Sequence, residues 1–176
     1  MSIKITTNIK KEEIVIQSIL KSNFIITMTF VLGFVLSAIP LPDTIVDWRP
    51  CWLAMFLIYW CMALPERIGI SSAWLLGILF DVQQSFIFGQ HALGFTFLAY
   101  IIIKNHRRLR VYPLLQQAIV VCVYLLIYKA IMLLVTLLSG AIAYTWYYWL
   151  PTLTSMLIWP WLFIVMRDLR RKYGVV

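Results

Sequence analysis

Few residues in this chain could do chemistry, and their spacing narrows what that chemistry is. Of the seven acidic residues, Asp81 alone is set inside an apolar run, and Gln83, Gln84, Ser85, Gln90 and His91 follow it within ten positions. A polar cluster at that depth in a bilayer needs protein partners or a wet cavity. Lys129 is the one charge deep in a later apolar run. Asp81 lies 14 residues beyond Arg67, and Lys129 lies 16 beyond Pro113. As helix these are roughly 21 and 24 Å from the same side. Matching depths allow an Asp81–Lys129 ion pair within the membrane. The competing expectation is that Lys129 snorkels to the outer headgroups.

No set of residues forms a catalytic centre. Cys51 and Cys61 stand ten apart on one predicted helix, roughly 15 Å, too far for a disulfide. With Cys122 they read as buried thiols, and no Cys/His spacing suggests zinc. His91 reads as a polar group at a helix start, and His106 falls in a basic stretch. Asp43 and Asp47 share one loop while Glu66 belongs to the opposite side, so no two acids converge. GxSxG, HExxH, a phosphate-cradling glycine loop and a nucleotide signature are all missing. The expectation is a protein without catalytic residues, cofactor or metal.

The elements that must hold these residues are membrane helices. The chain has 176 residues, 62% hydrophobic and 12% charged, with mean hydropathy +0.88. Soluble domains carry about 25% charged residues, so a water-soluble globule, a disordered chain and a fibre are excluded. The charges divide the chain into residues 1–22, a membrane domain over 23–166 and a basic tail over 167–176. Six spans are predicted at about 23–39, 51–64, 68–81, 89–103, 114–138 and 150–166. The first reads as uncleaved, because only a weak Ser37-Ala38 precedes Pro40. Spans 2 to 4 are short: residues 68–80 make roughly 20 Å of helix against a ~30 Å hydrocarbon core. Either helix 3 runs past Asp81 or the turn at 81–90 dips into the membrane.

The formal charge of +8 is explained by topology rather than by nucleic acid. The N-terminal segment, loop 2–3, loop 4–5 and the tail hold 4, 1, 4 and 4 of the 15 Lys and Arg residues. On the other side, loop 1–2 holds one and loops 3–4 and 5–6 none. This bias predicts both termini in the cytoplasm. The cytoplasmic basic loop Lys104, Arg107, Arg108 and Arg110 then faces anionic headgroups. Tyr144, Trp146, Tyr147, Tyr148 and Trp149 fall at the outer interface, where such rings are favoured.

Helix 3 carries Gly69, Ala73, Gly77 and Asp81 at i, i+4 spacing. Small residues in such a stripe let another helix approach closely. That helix is either a neighbour in the same bundle or a partner's membrane helix. A leucine at Gly77 should hold the two apart, with alanine milder.

Several strings, in their order and spacing, resemble the rod shape-determining MreD family over roughly residues 38–173. They are Pro42-Asp43, Arg49-Pro50, Leu57-Ile58-Tyr59-Trp60, Ala63-Leu64-Pro65-Glu66-Arg67-Ile68-Gly69, Gly77-x-x-x-Asp81, Gly89-x-His91-Ala92-Leu93-Gly94, Gln116-Gln117-Ala118 and Trp159-Pro160-Trp161. The resemblance implies a multi-pass protein of the bacterial inner membrane, non-catalytic, within the elongation machinery. It implies MreC as direct partner, with MreB filaments, RodA and penicillin-binding protein 2 in the same complex. It also implies an all-α six-helix bundle similar to the substrate-binding subunits of energy-coupling-factor transporters. A vitamin-binding transporter subunit is the alternative function. Short helices 2–4 and the polar cluster at Asp81 could floor an outward pocket.

Overall fold

A computed structural model describes residues 2–42, 45–84, 89–140 and 146–174, with side chains from residue 17 onward except Ser18. Among the described residues six α-helices make up the fold: α1 (Ser2–Ala38), α2 (Trp52–Ala63), α3 (Ile70–Gln84), α4 (Gln90–Leu109), α5 (Leu114–Leu138) and α6 (Leu150–Lys172). Single 3₁₀ turns at Val46–Trp48 and Trp146–Trp149 precede α2 and α6. Prolines mark several breaks, since proline lacks an N–H and is best accommodated in a helix's first turn, although Pro160 lies inside α6. Pro40 follows α1, Pro65 follows α2, Pro113 caps α5 and Pro151 opens α6.

At the centre lies α2. Its sequence is apolar on every side, and such a helix has to be enclosed. Eleven of its twelve residues are buried, packed against α1, α4 and α6. Around it, α3 pairs with α4, α4 with α5, and α5 with α6. The core holds two tryptophans with no exposed surface, Trp60 from α2 and Trp159 from α6.

Among the described residues, three helices are long and apolar enough to cross a bilayer: Ile19–Ala38 within α1, Leu114–Leu138, and Trp146–Lys172. At 12 and 15 residues, α2 and α3 extend only ~18 and ~22 Å. Of the two readings of helix 3, extension past Asp81 is the one seen, as far as Gln84. Residues 85–88 lie outside the described set, Ser85 among them, as do Asp43 and Tyr144.

Charged stretches prove to be helix rather than loop. Lys104, Arg107 and Arg108 ride the last turns of α4, and only Arg110 lies beyond it. Likewise α6 continues through Arg167–Lys172, and α1 runs from Ser2 without a break at residues 22–23. Charges mark where apolar surroundings end, not where a helix must stop. Lysine and arginine are good helix formers, and near a C-terminus they complement the helix dipole.

Both ends of the bundle's chain emerge on one side. Lys21 of α1 and Leu169 and Tyr173 of α6 line a single groove. Arg67, Arg110, Arg167 and Arg170 belong to the same basic end. At the opposite end sit the 3₁₀ turns and the Asp81 cluster.

Candidate functional site

The predicted cluster around Asp81 is built by the α3–α4 pair. Helix α4 starts at Gly89, whose φ of 93° is a left-handed conformation that glycine adopts without strain. That start aims the first N–H groups of α4 at the end of α3. The Asp81 carboxylate, 1% exposed, accepts all of them within reach: Gly89 N–H at 2.9 Å, His91 N–H at 2.8 Å and Ala92 N–H at 3.4 Å. His91 Nδ1 lies 2.7 Å from the same carboxylate. Orphan N–H groups at a helix start need acceptors, and the dipole there favours an anion. Asp81 therefore caps α4 from a neighbouring helix.

This arrangement corrects the expected Asp81–Lys129 pair. No contact within 4.0 Å joins those two side chains. Asp81 is saturated by α4, while Lys129 Nζ stands 4.3 Å from the Tyr148 ring centroid, in cation–π range. Equal depth along two helices does not set their facing sides. Lys129 is half-buried and lines a half-open cavity at this end of the bundle.

The small-residue stripe also resolves. Ala73, Gly77 and Asp81 are the buried residues of α3, and they face α4. A Cβ on Gly77 would lie 2.3 Å from Ala92 Cα and 2.6 Å from its nitrogen, inside backbone. At Gly77 and Asp81 the stripe is thus filled by this protein's own α4. Gly69, before the start of α3, has nothing within 4 Å of where its Cβ would be.

Other polar residues join helices in the same manner. Arg49 donates to the carbonyls of Ser37 and Ile39, tying the loop before α2 onto the end of α1. Trp60 Nε1 donates to Thr29 Oγ1 at 2.8 Å, linking α2 to α1. Gln90 reaches the Met132 carbonyl (3.0 Å) and Thr136 Oγ1 (2.7 Å) on α5. Gln117 accepts from Trp159 Nε1 at 3.2 Å and donates to the Leu109 carbonyl at 3.0 Å. Residue types alone do not announce these joints. The available signal was a polar side chain inside an apolar run, and Gln117 carries it.

At the basic end, Arg110 donates through Nε and Nη2 to the carbonyls of Met62 and Ala63, both at 2.8 Å. It caps α2 and is a structural residue. Lys104, Arg107 and Arg108 are described without such bonds, and Arg107 and Arg108 are exposed. A pocket of about 250 Å³ opens beside the cap, lined by Tyr59, Phe163, Arg110, Arg167 and Arg170. Among the described residues no three His, Cys, Asp or Glu side chains converge as metal ligands.

Apolar helices of bilayer length, an enclosed central helix and buried polar joints define a helical membrane protein whose polar residues hold helices together. The chain belongs to the MreD family: residues 17–169 match the family described as rod shape-determining protein MreD. It is 35% identical over 149 residues to the rod shape-determining protein MreD of Haemophilus influenzae, covering 85% of this chain and 92% of that one. No solved structure matches. Membership carries a role in the determination of rod shape.

Proposed function

We propose that the protein is a non-catalytic scaffold of the elongation complex in the bacterial inner membrane. It holds MreC directly and links MreB filaments to the synthase pair RodA and penicillin-binding protein 2. The observation that carries this reading is the use made of the polar residues. Asp81, His91, Gln90, Arg49, Arg110 and Gln117 are all engaged in joining helices. A frame fixed in this way presents constant surfaces to partners.

The charge bias puts the basic end in the cytoplasm, and with it both termini. Exposed Arg107 and Arg108, with the Arg167–Arg170 pocket, suit acidic partner segments or anionic lipid. A partner's membrane helix has to use a lipid-facing surface. The α1–α6 groove of about 590 Å³, lined by Phe24, Ile25, Met28 and Leu32, is the concave candidate. Enclosure of a short α2 by longer helices also suits the proposed likeness to energy-coupling-factor substrate-binding subunits.

Affinity recovery from solubilised membranes tests the reading. An MreC-like protein is expected to accompany the wild type and to be reduced by Met28→Trp, which fills the groove. Deletion should turn rods into spheres. Normal rods after deletion, together with loss of uptake of one vitamin, would replace the scaffold by a transporter subunit.

A further inference from the structure

The end of the bundle opposite the basic end carries a half-open cavity that the joints do not fill. Two adjoining lobes of about 280 and 310 Å³ share Val46, His91, Tyr128, Lys129 and Pro151 in their walls. Volumes of this order lie at the lower edge of small-molecule pockets, ~300–1,000 Å³. Aromatic rings contribute to both walls: Trp52, Phe80 and Phe95 line one lobe and Tyr148 the other.

Charge on these walls is unbalanced. Lys129 sits mid-helix on α5, and no carboxylate lies within 4.0 Å of it among the described residues. Asp81, the nearest acid by depth, is taken up by the start of α4. Arg49 adds a second cation to one lobe, and its Nε is buried without a hydrogen-bond partner. Asp47 lines the other lobe and offsets one of the two charges. Charged side chains inside a membrane bundle pair with an opposite charge or line a functional cavity.

We infer that this cavity binds a small organic anion, a carboxylate or phosphate group on a compact apolar body, with Lys129 as its counter-charge. The aromatic walls take the body and the ammonium takes the head. The anion comes either from an outer-leaflet phospholipid headgroup or from a free solute. A cavity of this size suits a headgroup, with the acyl chains of a lipid left outside it. This site is independent of partner binding at the α1–α6 groove.

The test is thermal unfolding of the full chain in phosphatidylcholine nanodiscs. Three probes are added separately: phosphatidylglycerol in the bilayer, glycerol 3-phosphate and benzoate. At least one is expected to raise the midpoint of the wild type. A response to phosphatidylglycerol alone identifies a headgroup; a response to either solute identifies a free anion. Lys129→Met should weaken the response about tenfold in concentration, and Lys129→Arg should keep it. Val46→Trp, placed at an exposed position in the cavity mouth, should also abolish it without touching the core. It decides the matter should Lys129→Met not fold. No response to any probe, or an unchanged response in both Lys129→Met and Val46→Trp, overturns the inference.

Discussion

Asp81 shows how one carboxylate organises a whole end of the bundle. It is buried, yet three N–H groups and an imidazole face it, so its removal orphans the first turn of α4. Leaving a buried donor without its acceptor costs about 1–3 kcal/mol. Asp81→Ala is expected to lose stability on that scale in a denaturant titration of the purified protein in detergent. A double-mutant cycle with His91→Ala should show coupling of about 0.5–3 kcal/mol. The same cycle with Lys129→Ala should be additive, because the two side chains do not touch. Strong Asp81–Lys129 coupling would contradict the geometry.

Between elements, the tightest approach is that of α3 and α4. The Cβ of even an alanine at Gly77 would enter the backbone of Ala92. Alanine is therefore not the mild change the stripe alone suggests. Overpacking costs about 1–3 kcal/mol where side chains can yield, and here backbone must move. Both Gly77→Ala and Gly77→Leu are expected to lower the level of folded protein in membranes, leucine more severely. Normal levels of Gly77→Leu would place the stripe on the lipid side. Arg110 makes a second test at this scale. Arg110→Met removes two charge-assisted hydrogen bonds from the end of α2, each worth about 1.5–3 kcal/mol. It should lower the thermal midpoint clearly. Arg107→Gln, an exposed change on the same basic stretch, should leave it almost unmoved.

At the scale of the molecule, the structure brings residue 21 and residues 169–173 to one end. In the proposed orientation that end is cytoplasmic. Reporter fusions after Val176 and within residues 104–112 are expected to read cytoplasmic, and fusions near Asp47 periplasmic. A periplasmic C-terminus would reverse the assignment. Neutralising Arg107 and Arg108 together should weaken orientation or cytoplasmic contacts while MreC recovery persists. The surface expected to hold MreC lies on α1 and α6, away from that stretch.

The class and the number of helices were legible in the amino-acid sequence. Apolar runs and prolines are local signals, and a bilayer accepts only structures that satisfy their own backbone. The order of strings such as Gly77-x-x-x-Asp81 and Gly89-x-His91 also placed the chain in its family. Helix ends in the charged stretches were not legible, since Lys104 and Arg107 suit a helix as well as a loop. Pairing was the other limit. Depth along a helix follows from counting residues, but facing direction depends on how all six helices pack. Asp81 and Lys129 share a depth and still turn to different partners, one to the start of α4 and the other to Tyr148. Packing alone reveals that the stripe at Gly77 is filled from within, that Arg110 and Gln117 are joints, and that Lys129 borders a half-open cavity. Each of these depends on groups distant in sequence meeting within a few ångströms, and no local pattern encodes that meeting.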